Sequence, residues 1–198
     1  MPNNIELELR AEITLKKFKA ILEKLRKRKK FIKTDRLTVM FLGTIGNHDY
    51  DIRVRTGRGE DAEVVFKKGA YHKHDRIEVS AKINKKQFID FVRIFCLFEF
   101  KSKITIRSNY LFDMGDDIFL TLVNAGPIAY IEIEKMSNKR NLNDNKKKII
   151  NIFNEFDMVP LESRGFNDLC DRLSVFSDKP FNGKPKDFVN LKKLLTIY

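Results

Sequence analysis

The sequence predicts an α+β protein built on an antiparallel sheet that is closed or strongly curved, with helices packed against its outer face. Three observations lead there. Apolar and charged residues alternate with period 2 in segment after segment, and side chains on a strand alternate faces with that period. The strand candidates are interrupted by helical stretches without a regular βαβ alternation. The polar face of the strands repeatedly carries both cations and carboxylates, which marks one shared charged surface; closure would also remove exposed strand edges.

The first strand is Ile5–Arg10, with Glu6, Glu8 and Arg10 on one side and Ile5, Leu7 and Leu9 on the other. Thr14 is placed to cap a helix that enters the basic stretch ending at Lys30, with Phe18, Ile21, Leu22 and Leu25 forming its packing stripe and the lysines and arginines reading as a solvated helix face followed by a basic turn. Strands follow at 33–42, 50–56, 63–68 and 76–83, separated by glycine-containing turns. Asp51, Arg53 and Arg55 alternate with Ile52 and Val54, and Arg76, Glu78, Ser80 and Lys82 with Ile77, Val79, Ala81 and Ile83. Asn84 starts a helix bearing Phe88, Phe91, Val92, Phe95 and Leu97. A hairpin is expected from 100–110 and 111–123 around Asp113–Asp117, then a strand over 128–134. The remainder, 137–198, reads as a loop, a helix over 146–159 ended by Pro160, a short helix over 166–173 and a docked final helix, all belonging with 1–136 to a single domain.

Composition narrows the function classes. The 198 residues are enough to bury a real core, and 42% hydrophobic residues with 17 phenylalanines argue against disorder. A formal charge of +12 favours a polyanionic partner. Cys96 and Cys170 have no metal-type or disulfide-type spacing and read as buried thiols of a reducing compartment; with no signal-peptide core and no spanning run, a cytoplasmic location is the expectation. His72 and His74, beside Asp75, lack the further partners of a zinc pattern and read as turn residues. No P-loop or dinucleotide-binding glycine pattern is present.

The Glu6/Glu8 and Glu132/Glu134 pairs project carboxylates from alternate strand positions, an arrangement suited to one or two hard cations if the first and last strands meet. Arg10, Arg53, Arg55, Lys67, Arg76, Lys103 and Arg107 are suited to nonbridging phosphate oxygens. The ordered set resembles the CYTH superfamily, the triphosphate tunnel metalloenzymes, which includes class IV adenylate cyclases, thiamine triphosphatases and inorganic triphosphatases. Its E-x-E-x-K signature is similar to Glu6-Leu-Glu8-Leu-Arg10, its R-x-R strand to Arg53-Val-Arg55, its following basic strand to Lys67, its R-x-E strand to Arg76-Ile-Glu78, its later basic strand to Lys103 through Arg107, and its closing E-x-E to Glu132-Ile-Glu134. Arg10 stands in place of the signature lysine, and Thr121 where many relatives carry aspartate.

The resemblance implies an eight-stranded antiparallel β-barrel with packing helices outside. It implies Mg²⁺ or Mn²⁺ held by Glu6, Glu8, Glu132 and Glu134, a triphosphate held by the seven cations, catalytic roles for Glu6, Glu8 and Arg10, and Glu78 as a further tunnel residue. The activity it implies is hydrolysis of a nucleoside, thiamine or inorganic triphosphate. The alternatives are a class IV-like cyclase making cyclic AMP and pyrophosphate, and a noncatalytic nucleotide- or polyphosphate-binding module. The partner is then a small-molecule triphosphate rather than a membrane. Nucleic acid binding through Lys24–Lys30 is the lesser reading, and the sequence does not fix an oligomeric state.

Overall fold

In the computed structural model, residues 5–69 and 75–198 are described. The chain runs β1 (Ile5–Ile13), α1 (Leu15–Arg26), β2 (Phe31–Ile45), β3 (His48–Gly57), β4 (Ala62–Lys68), β5 (Asp75–Ile83), a 3₁₀ turn (Lys85–Gln87), α2 (Phe88–Cys96), β6 (Lys101–Gly115), β7 (Ile118–Ala125), β8 (Ile128–Ser137), α3 (Leu142–Asn154), α4 (Ser163–Phe176), β9 (Lys179–Pro180) and α5 (Pro185–Leu195). The sheet order is β2-β3-β4-β5-β1-β8-β7-β6, and pairing of β2 with β6 joins its two ends. This is an eight-stranded antiparallel closed β-barrel; the two-residue β9 adds to β6.

The chain divides into two compact units that interleave along the sequence. One holds β1, α1, β7, β8, α3 and α4 with residues 31–34, 75–77 and 108–115. Its core gathers the apolar faces of β1, β7 and β8, with Leu7, Leu9, Leu120, Leu122, Ile131 and Ile133 packed against Phe18, Ile21 and Leu25 of α1 and Ile149 and Phe153 of α3. Burying each such side chain contributes about 1.5–3 kcal/mol. Thr14 caps α1 as its position predicts, its hydroxyl accepting from Lys17 N at 3.1 Å. The helix ends at Arg26, and the amides of Arg28 and Lys29 both bond Leu25 O, so the basic run finishes as the expected turn.

The other unit holds residues 35–45, β3, β4, residues 78–83 and 101–107, α2, β9 and α5. Leu37, Val39 and Phe41 of β2 and Ile52 and Val54 of β3 pack under Phe88 and Val92 of α2 and Leu191 of α5. The Asn84 prediction holds in finer form. Asn84 Oδ1 accepts from Lys86 N and Asn84 N donates to Gln87 Oε1, a capping box that opens the 3₁₀ turn leading into α2. Leu97 lies past the end of α2 and is 82% exposed, so it is no part of the packing stripe. Gly43 is required by close approach, since a Cβ there would stand 2.2 Å from the Phe100 ring.

Several boundaries move. β6 continues from Lys101 to Gly115 without a break at 110–111, and its turn into β7 uses positive φ at Gly115, Asp116 and Asp117. α3 spans Leu142–Asn154 and ends well before Pro160, while α4 extends over Ser163–Phe176. Cys96 and Cys170 are half-buried rather than buried, each lying at the margin of a helix's packed stripe. His72 and His74 lie outside the described residues.

Candidate functional site

Strand parity gives the first unit its charged face. With Leu7 and Leu9 committed to the core, Glu6, Glu8 and Arg10 must take the opposite side of β1. β8 runs antiparallel beside it, and the register sets Glu8 opposite Glu134 and Arg10 opposite Glu132. On the other side of β1, Glu6 is opposite Arg76 of β5. The structure therefore brings all four candidate metal carboxylates onto two neighbouring strands. Glu6 and Glu8 are each only 7% exposed.

Arg10 binds two of these carboxylates. Its Nε donates to Glu132 Oε1 at 2.6 Å and its Nη2 pairs with Glu8 Oε1. The guanidinium also lies over the Phe166 ring of α4, 4.9 Å from the centroid, while Leu161 N donates to Arg10 O at 2.7 Å. Burial opposes the charge on Arg10, but Glu8 and Glu132 outweigh it and hold the group protonated more firmly than usual. Burial pushes the Glu132 carboxyl upward. Arg10 pulls it down, and the charge of Glu8 with its hydrogen bond pushes it up again, leaving Glu132 more readily protonated than an ordinary glutamate.

Next along the same face, Tyr130 and Val123 pack with Leu169 and Leu173 of α4. Glu12 binds Arg172 of that helix through both carboxylate oxygens. Sequence reasoning did not anticipate that α4 contacts the charged face. Periodicity identified its apolar residues without showing which sheet face would receive them.

The second unit carries the other cations, each beside an acid. Arg53 Nε and Nη2 donate to Asp51 at 2.9 and 2.6 Å, a bidentate pair whose carboxylate is 2% exposed. Arg55 Nε donates to Glu63 at 2.8 Å. Lys67 Nζ stands 2.8 Å from Glu78 Oε2. Lys103 Nζ is 2.7 Å from Asp178 Oδ2, and Arg107 Nη2 donates to Asp178 Oδ1. Asp51, Glu63 and Asp178 were not among the predicted site residues. Asp51 left a signal, since it sits two positions before Arg53 on the same strand face. Asp178 left none, lying 71 positions from Arg107.

The fit to a divalent metal rests on the donor set. Glu6, Glu8, Glu132 and Glu134 offer hard carboxylate oxygens, and four acids share their face with Arg10 and Arg76, so the formal charge favours a further cation. The present contacts commit Glu8 and Glu132 to Arg10. Among the described residues no group of three or more His, Cys, Asp or Glu side chains is already placed to hold a metal. The chemistry fits; metal binding would require Arg10 to share or release its carboxylates.

Comparison with known proteins supports the architecture. No protein-family model matches the chain, and no curated protein matches it by sequence. Among solved structures it resembles the PH1819 protein of Pyrococcus horikoshii, with TM-score 0.64 and 17% identity over 84% of this chain and 98% of the other. A candidate adenylate cyclase of Vibrio parahaemolyticus gives TM-score 0.58 and 14% identity over 85% and 99%. A Hippeastrum candidate adenylyl cyclase with a dominant triphosphatase activity gives TM-score 0.52 and 12% identity over 79% and 89%. These likenesses show the fold. Among the described residues no helix is long and apolar enough to cross a membrane.

Proposed function

We propose that this chain is a divalent-metal-dependent phosphohydrolase that acts on a small-molecule triphosphate in the manner of the triphosphate tunnel metalloenzymes. The observation that supports this reading is the β1–β8 register, which puts Glu8 opposite Glu134 and Arg10 opposite Glu132, with Glu6 on the same face of β1. The fold shared with a protein of dominant triphosphatase activity supports it.

Glu6, Glu8, Glu132 and Glu134 would hold Mg²⁺ or Mn²⁺, which supplies charge neutralisation at phosphoryl oxygens. Arg53, Arg55, Lys67, Lys103 and Arg107 bind nonbridging oxygens, exchanging their carboxylate partners for phosphate. Arg10 and Arg76 are further candidate phosphate contacts. Attack of water on the terminal phosphorus forms one P–O bond as the bond to the bridging oxygen breaks, releasing orthophosphate. Arg10 is the specific reason for a second reading, a noncatalytic polyphosphate binder, because it engages two metal candidates directly.

The deciding experiment resolves phosphorus products from ATP, thiamine triphosphate and tripolyphosphate with Mg²⁺ and with Mn²⁺. Orthophosphate supports hydrolysis, pyrophosphate with cyclic AMP assigns a cyclase, and binding without product assigns the binder. Glu6→Gln and Glu134→Gln should each lower turnover by about 100-fold while the protein stays folded. Unchanged metal-dependent turnover in both variants refutes the assignment.

A further inference from the structure

The proposed phosphohydrolase makes no use of the strongest concentration of charge in the chain. Residues 24–33 contain Lys24, Arg26, Lys27, Arg28, Lys29, Lys30 and Lys33 and no carboxylate. They form the last turn of α1, the turn beyond it and the start of β2. Two cations in a last helical turn are accounted for by the negative end of the helix dipole, and Lys24 and Arg26 occupy that position. The remaining five lie beyond the helix.

We propose that this tip is a docking surface for the backbone of a single-stranded nucleic acid. Charge is the first support. The cations of the candidate site are held against acids, whereas among the described residues Lys24, Arg26, Lys27, Arg28, Lys29 and Lys30 form no ion pair. Lys27, Arg28 and Lys30 are exposed. Phosphate contacts need this kind of accessible, uncompensated charge.

Aromatic interleaving is the second support. Half-buried Phe31 stacks at 5.6 Å on Phe112 and at 6.2 Å on Tyr110, Arg26 lies 5.2 Å from the Phe31 ring, and Lys33 lies 5.7 Å from that of Tyr110. A basic track beside aromatic rings suits unpaired bases. An anionic bilayer fits less well, because an interfacial helix needs a free apolar face. Here Phe18, Ile21 and Leu25 of α1 are each only 5% exposed and belong to the core.

The test is fluorescence anisotropy with a labelled 20-nucleotide single strand bearing a 5′-hydroxyl, so that no triphosphate is offered to the candidate site. Lys27→Gln, Arg28→Gln and Lys30→Gln combined should weaken binding at least tenfold. Removing three phosphate contacts should also lower the slope of log K against log salt by about 2. A control combining Lys186→Gln, Lys192→Gln and Lys193→Gln in α5 removes the same net charge and should retain the wild-type slope. Equal losses in the two triple variants would overturn the proposal, as would equal or tighter binding of a duplex. Capture by phosphatidylserine vesicles at a salt concentration that abolishes oligonucleotide binding would overturn it in favour of a membrane surface.

Discussion

Replacing Asp178 by asparagine keeps the side chain's shape and removes a carboxylate that both Lys103 and Arg107 hold. At the 2.7 Å separation from Lys103, unit charges in an effective dielectric constant of about 20 attract by roughly 6 kcal/mol. Desolvation offsets much of that attraction, and breaking a buried pair from one side costs about 3–5 kcal/mol net. The two cations retain 16% and 11% exposure, so the lower end applies, about 3 kcal/mol. For a chain of this size that lowers the melting temperature by about 6–12 °C. The same substitution removes an internal anion that a phosphate would have to displace, so the variant should bind tripolyphosphate at least about tenfold more tightly. Thermal unfolding followed by circular dichroism, with and without tripolyphosphate, measures both effects. An Asp178→Asn protein that melts within about 1 °C of the parent, with unchanged tripolyphosphate affinity, would refute the reasoning.

Two further perturbations test the packing. Gly43→Ala should destabilise by about 2 kcal/mol, because the new methyl group cannot coexist with the present Phe100 ring; an unchanged denaturation midpoint would mean the ring moves aside freely. The Glu12–Arg172 pair should also impart a pH dependence to α4. Hydrogen bonding to Arg172, aided by its charge and opposed by partial burial, holds the Glu12 carboxyl below its ordinary range. The stabilisation is therefore complete above the unfolded carboxyl's pKa of about 4.3 and is lost as pH falls through the lower folded value. Amide exchange across residues 163–176 should accelerate below that range in the wild-type protein, and Glu12→Gln should remove the pair's share of the dependence. Identical pH profiles would dismiss the pair as a contributor.

The barrel was legible because core and charged faces are written at period 2. Leu7 and Leu9 alternating with Glu6 and Glu8, and Ile131 and Ile133 with Glu132 and Glu134, determine which side each acid takes once the strands pair. The gathering of Glu8, Arg10 and Glu132 followed from the same rule. The counterions did not. A cation's need for a buried partner carries no preferred sequence separation, so Asp178 is invisible from Lys103 and Arg107. The end of α3 was read too late because Phe156 continues its apolar spacing, whereas the terminating contacts to Phe153 O arise from the turn itself.

The interleaved order of the strands bears on synthesis. β1 emerges well before β8, so Glu8 and Arg10 meet their partners Glu134 and Glu132 only after the long stretch between the two strands has been made. At about 5–20 residues per second, the intervening stretch of roughly 120 residues takes about 6–24 s to appear. Through that interval one edge of β1 cannot form its native ladder, and pairing across so long a separation also slows folding after release. A ribosome-bound chain truncated before residue 128 should therefore be aggregation-prone and depend on chaperones until β8 arrives.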